Sequence, residues 1–146
     1  MSQLTQVAPL TEAEIRTLAH DWFTGLNEHW PLVRMLPMLA ADDLRMVFPE
    51  ATLTSLVEFE QWYQGIIRTF FDQDHNVREL VPDVHDNQAD VKVTVVWTAS
   101  RWEPPAATST RSIMRADQTW TVKRSAQTDK PVIAVYTVHG LTPVRA

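Results

Sequence analysis

The chain has 146 residues, 45% of them hydrophobic and 21% charged, a balance that fits one globular domain and excludes wholesale disorder. Cysteine is absent, which removes disulfides, thiol catalysis, iron–sulfur clusters and thiolate zinc sites together. Acidic side chains number 18 against 13 scattered basic ones, for a formal charge of −5, without the basic stripe of a nucleic-acid binder. No apolar run nears the ~18 residues of a membrane span, and the first residues lack the charged and apolar regions of a signal peptide. The expectation is a soluble cytoplasmic domain with no nucleic-acid or membrane partner.

Residues 1–10 carry no periodicity and read as a flexible N-terminal arm. Thr11-x-x-Glu14 is a capping box, in which side chains satisfy free amides at a helix start. Behind it Ile15, Leu18, Ala19, Trp22, Leu26 and Trp30 form one apolar face of an amphipathic helix ending near Trp30. Pro31 suits the first turn of a second helix to about Ala40, which Pro37 shortens, kinks or breaks. Leu44–Phe48, stopped by Pro49, reads as a short edge strand.

A second capping box, Ser55-x-x-Glu58, opens a third helix whose face is Phe59, Trp62, Tyr63, Ile66, Ile67 and Phe70. The period then changes from helical to two. Residues 76–84 predict a strand, with a turn at Asp86-Asn87. Val91, Val93, Val95, Trp97 and Ala99 alternate with Lys92, Thr94, Thr98 and Ser100, Val96 being the exception. Glu103-Pro104-Pro105 ends that strand, Thr108–Arg124 predicts the next, and Val132–His139 the last. One domain over 11–141 is expected, with 142–146 as a tail. Helices followed by long hairpin-connected strands predict an α+β fold: a cone of three helices packed on a strongly curved, mostly antiparallel sheet. The mouth of such a cone is a natural ligand pocket.

The element order and several local matches resemble the nuclear transport factor 2-like (cystatin-like) superfamily, and within it the SnoaL-like group. The matches are Trp22-Phe23, Leu39-Ala-Ala-Asp-Asp43 leading into Met46-Val-Phe-Pro49, Phe59-Glu-Gln-Trp62-Tyr63, His75-Asn-Val77, Val95-Val-Trp97-Thr-Ala99 and Trp120-Thr-Val122. The resemblance runs from about Thr11 to His139. It implies a hydrophobic cavity, a homodimer formed through the outer sheet face, and one of several activities. Ketosteroid isomerases, scytalone dehydratase, polyketide cyclases, limonene epoxide hydrolases, oxygenase small subunits and non-catalytic carriers share the fold.

Residue by residue, the resemblance narrows these. The isomerase base, an aspartate before the proline that ends the first strand, is replaced here by Phe48. The helix-one tyrosine of those enzymes falls near Trp22 or Phe23, which have no hydroxyl. The epoxide hydrolases' Arg-x-Asp pair has no counterpart in Val91–Arg101, and Arg115-Ala-Asp117 lies one strand later. The dehydratase histidine after the third helix matches His75, but its second histidine is replaced by Trp97. Asn27 stands near its helix-one acid, and an amide is no base at neutral pH.

His75 is therefore the candidate acid–base residue, since an unperturbed imidazole titrates near 6.5. The alternative is a histidine that only bonds backbone where helix meets sheet. Asp43 is a second candidate base, against a role at a helix exit facing water. The expected cavity lining is Trp22, Leu26, Asn27, Phe48, Trp62, Tyr63, Ile66, Phe70, Val95, Trp97, Met114 and Trp120. Its expected ligand is a small apolar or aromatic molecule, with core packing as the alternative role for the tryptophans. His20 and His29 are nine residues apart, about 180° around a helix, and cannot share a metal ion. Gly25, Gly65 and Gly140 stand alone, so no phosphate-cradling loop is present. No metal and no cofactor are expected. Trp102, with Thr94, Val96 and Thr98, is the expected dimer surface. The functions left open are ligand binding with isomerase, dehydratase or cyclase chemistry, a non-catalytic binding or association module, and an oxygenase subunit.

Overall fold

A computed structural model describes residues 8–144, so most of the expected arm and the end of the expected tail lie outside the described residues. Helix α1 spans Glu12–Glu28 and is opened by the complete Thr11/Glu14 capping box. It buries Ile15, Leu18, Ala19, Trp22, Phe23 and Leu26. It stops before Trp30 because His29 turns left-handed (φ 55°) and its N–H closes back on the Gly25 carbonyl. Trp30 then carries the Arg34 guanidinium over its ring at 3.7 Å. Pro37 divides the second helix, as its missing N–H dictates, into α2 (Leu32–Met35) and a 3₁₀ turn, Leu36–Met38.

Strands β1 (Arg45–Val47) and β2 (Thr52–Leu53) follow, then α3 (Leu56–Thr69). Ser55 caps α3 by accepting from the Glu58 N–H, but the Glu58 carboxylate accepts from Thr54 N and Oγ1, so the expected box is half made. Four long strands complete the chain: β3 (Phe70–His85), β4 (Gln88–Arg101), β5 (Thr110–Arg124) and β6 (Pro131–Pro143). Strand β3 starts six residues earlier than its alternation suggests, with Phe70 already extended at the end of α3. Strand β6 carries Thr142 and Pro143 in register with Arg115 and Met114, so these two residues are strand rather than tail.

The sheet order is β2-β1-β6-β5-β4-β3, antiparallel except for β1 beside β6. Strand β1 is thus interior and not an edge; its edge is taken by β2, which the sequence pattern leaves invisible at two residues. Register shifts between Phe71 and Asp74, Val77 and Glu79, Asp117 and Gln118, and Thr121 and Val122 bend the long strands over the helices. The main core joins the α1 face to Phe59, Tyr63, Val91, Val93, Val95, Trp120, Val122, Ile133 and Tyr136. At one end of the domain, Arg124 binds the Glu14 carboxylate through both Nη atoms (2.9 and 2.8 Å) and the carbonyls of Ala8, Pro9 and Asp129. Leu10 is buried in the main core and its N–H donates to the Asp86 carbonyl, so residues 8–10 of the expected arm are anchored.

Candidate ligand pocket

A cavity of about 300 Å³ opens between α3 and the inner face of the sheet. Its presence explains why α3 fully buries only Phe59 and Tyr63, while Trp62, Ile66 and the following Phe70 stay partly exposed. Of the residues expected to line it, Leu26, Phe48, Trp62, Ile66, Phe70, Val95 and Trp97 do so, and the candidate acid–base residue His75 joins them. Phe48 and Trp62 stack at 4.2 Å and 11°, and Phe70 meets Trp97 edge-on at 4.9 Å.

The other expected residues stand elsewhere. Trp22 and Trp120 are fully buried core, packed on Tyr136 from two sides, and have no surface left for a ligand. Tyr63 turns its hydroxyl away, donating to the Trp30 carbonyl at 2.6 Å. Met114 pairs with Trp97 across β4 and β5 but stops short of the cavity wall. Asn27 sits behind His75. Asp43 is bound to Lys123 Nζ at 2.7 and 2.8 Å. Lys123 lies opposite Gln88, nine residues along β4 from the His75 partner Trp97. At ~3.3 Å per residue this is about 30 Å, so the structure does not bring Asp43 and His75 together.

His75 is positioned by the bulge that precedes it. Asp72 takes φ 52°, and Arg111 holds its carbonyl at 2.5 Å while also binding Ser100 Oγ at 2.9 Å. The shift turns both Gln73 and His75 inward, leaving Asp74 exposed on the far face. The His75 ring is stacked between Phe23 (5.3 Å) and Trp97 (6.1 Å). Its Nδ1–H donates to Asn27 Oδ1 at 2.6 Å, which places the lone pair on Nε2. Nε2 has no partner among the described residues, and no buried side-chain nitrogen or oxygen lacks one, so Nε2 is open. One ring edge faces the cavity while the surroundings are apolar. This desolvation pushes the His75 pKa down to about 3, so the imidazole is neutral at physiological pH.

Several polar residues of the site escape sequence reasoning. Gln73 is buried, accepts from Trp97 Nε1 at 3.0 Å and donates to His29 Nε2 at 2.7 Å. Because indole only donates, Trp97 fixes which way the Gln73 amide faces. Gln118, buried beside a second bulge, accepts from Trp120 Nε1 at 3.0 Å. Tyr136 lines the cavity and accepts from Trp22 Nε1 at 3.4 Å; burial pushes its pKa to about 12, so its hydroxyl keeps its proton. Gln73 and Gln118 stand two residues before His75 and Trp120, so alternation puts each on the inward face, but polar side chains between polar neighbours carry no apolar signal of burial. Glu50, beside Pro49 at the wall, accepts from Trp62 Nε1 at 3.2 Å. Among the described residues no group of three or more His, Asp or Glu is placed to hold a metal ion, and no helix is long and apolar enough to cross a membrane.

No family model and no curated protein matches the sequence. Solved structures do match it closely in shape. A nuclear transport factor 2-like superfamily protein from Salmonella enterica serovar Typhimurium aligns with TM-score 0.74 at 12% identity, over 92% of each chain. The hexachlorocyclohexane dehydrochlorinase LinA-type3 from Novosphingobium barchaimii gives 0.72 at 15% identity, over 92% of this chain and 90% of that one. A ketosteroid isomerase-like protein from Erwinia carotovora atroseptica gives 0.70 at 18% identity, over 94% of this chain and all of that one.

Proposed function

The chain has the nuclear transport factor 2-like fold, and from that premise we propose that its cavity binds a small, flat, largely apolar molecule through one hydrogen bond to His75 Nε2. The observation that carries this reading is the open Nε2 of a neutral imidazole, held in place by Asn27 and set in a wall of aromatic and aliphatic side chains. Such a site rewards burial of apolar surface, and one aimed acceptor then orients the ligand. Asn27 offers no charge to stabilise an imidazolium, which favours recognition over strong base catalysis.

The test is calorimetric titration with 2-naphthol and with 2-methoxynaphthalene, which lacks the O–H. Naphthol is expected to bind about five- to tenfold more tightly, the size of one net hydrogen bond, and His75→Leu is expected to abolish that preference. Equal binding of the two compounds, or no binding of either, would overturn the proposal.

One observation favours a second reading, proton transfer in isomerase, dehydratase or cyclase chemistry: Tyr136, whose hydroxyl keeps its proton, is among the residues that line the same cavity as His75. A donor and an acceptor facing one substrate are the parts of a proton transfer. Under this reading His75→Gln removes turnover while ligand affinity falls only modestly. Self-association through the outer face of β4, with Thr94, Val96, Thr98 and the half-exposed Trp102, is likewise our proposal for its assembly. Light scattering at twice the chain mass, lost on introducing Val96→Lys, is the expected result.

A further inference from the structure

Resting on the reading of the cavity as a ligand pocket, we infer that its mouth selects a positively charged group, so that the ligand is an aromatic ammonium compound with its ring inside and its cation at Glu50. Glu50 is the one charged side chain among the described residues that line the cavity; no arginine or lysine is among them. Its carboxylate is exposed and stands at the edge of the stacked Phe48–Trp62 pair, to which Oε2 is tied through Trp62 Nε1. One carboxylate oxygen therefore holds the indole while the other has no partner among the described residues.

A carboxylate at the mouth of an otherwise uncharged, aromatic-walled pocket recognises an alkylammonium ion by ion pairing while the ligand's ring is buried within. The deeper wall is suited to the other end of such a molecule. His75 presents a bare acceptor there, Leu26, Ile66 and Val95 supply apolar surface, and nothing cationic is present to hold an acid group. A carboxylate ligand would bring its charge against Glu50 at the mouth or lose its hydration unpaired within, and either is unfavourable. The site thus discriminates by charge at the mouth and by hydrogen-bond donation in the depth.

Three indoles of shared ring and shared N–H test this: tryptamine, 3-ethylindole and indole-3-propionate, titrated by calorimetry at low ionic strength. Tryptamine is expected to bind at least about tenfold more tightly than indole-3-propionate, with 3-ethylindole between them, and added salt should narrow the gap. Glu50→Gln keeps an oxygen for the Trp62 N–H and removes only the charge. It is expected to bring tryptamine to within about threefold of 3-ethylindole. An unchanged tryptamine preference in Glu50→Gln, or binding of the propionate as tight as tryptamine in the unaltered protein, overturns the inference while leaving the pocket in place. Failure of all three compounds, 3-ethylindole included, overturns the pocket reading and this inference with it.

Discussion

His75 and Asn27 are joined by a 2.6 Å hydrogen bond from β3 to α1, a contact between residues 48 apart in the chain. The partner is a neutral amide, so it orients the imidazole and selects its tautomer without stabilising a positive charge. With Phe23 and Trp97 on its two faces, the ring gains no electrostatic compensation for desolvation. Its neutrality follows from that arrangement.

Asn27→Asp would place a carboxylate where the amide stands. The His75 pKa is expected to rise by about one to three pH units from its depressed value, as for a titrating group given an adjacent opposite charge. Nitrogen-15 NMR of the imidazole ring across pH checks it. An unmoved titration would mean that the side chain at 27 does not reach Nδ1 in solution.

Stability is expected to fall as pH falls. The folded chain holds His75 at about 3, whereas the unfolded chain takes up its proton near 6.5. The neutral imidazole's contribution is therefore complete above 6.5 and is lost progressively down to about 3, at about 1.4 kcal/mol per pH unit. Glu14 adds a loss of the same sign at lower pH, because the bond from Arg124 holds its carboxyl below 4.5. Urea midpoints measured between about pH 7.5 and about pH 4.5 give the slope, which His75→Gln is expected to flatten. The same slope in that variant would move the effect to other groups.

Gly25 lies within α1, where a glycine ordinarily weakens a helix. A Cβ at this position would run into Met35 Sδ and stand 3.0 Å from Trp30 Cε3, and Met35 is fully buried. Gly25→Ala is expected to destabilise by about 1–3 kcal/mol through overpacking, despite alanine's higher helix propensity. Chemical denaturation reports the sign, and a stabilised variant would show that Met35 and Trp30 yield freely.

Arg124 ties residues 8–10 and α1 to the β5–β6 end of the domain through Glu14 and three carbonyls. Arg124→Met keeps the aliphatic stem and removes those bonds. A Tm lower by several degrees is expected, with faster hydrogen exchange at the Leu10 amide, which now donates to the Asp86 carbonyl at 2.7 Å. Because this end is remote from the cavity, affinity for 2-naphthol should not change.

The amino-acid sequence by itself determined the layers of this protein. Capping residues at Thr11 and Ser55, the proline at 37, and the two-residue alternation from Val91 to Ala99 are local signals, and local hydrogen bonds and periodic burial read them directly. The tertiary structure alone decided what the cavity is. A single inserted residue in a strand reverses which side chains face inward, so the bulge at Asp72 brings Gln73 onto the same cavity wall as Phe70, and its spacing of two from His75 is the one periodic sign of it. Tyr136, Gln118 and Glu50 arrive from separate elements, while Trp22, Tyr63 and Trp120, equally aromatic in sequence, were withdrawn into the core by neighbours far along the chain. Apolar character marks a residue for burial, but only the packing of α1 and α3 on a bent sheet separates a filled core from an open pocket, because that difference is one of volume left over between elements.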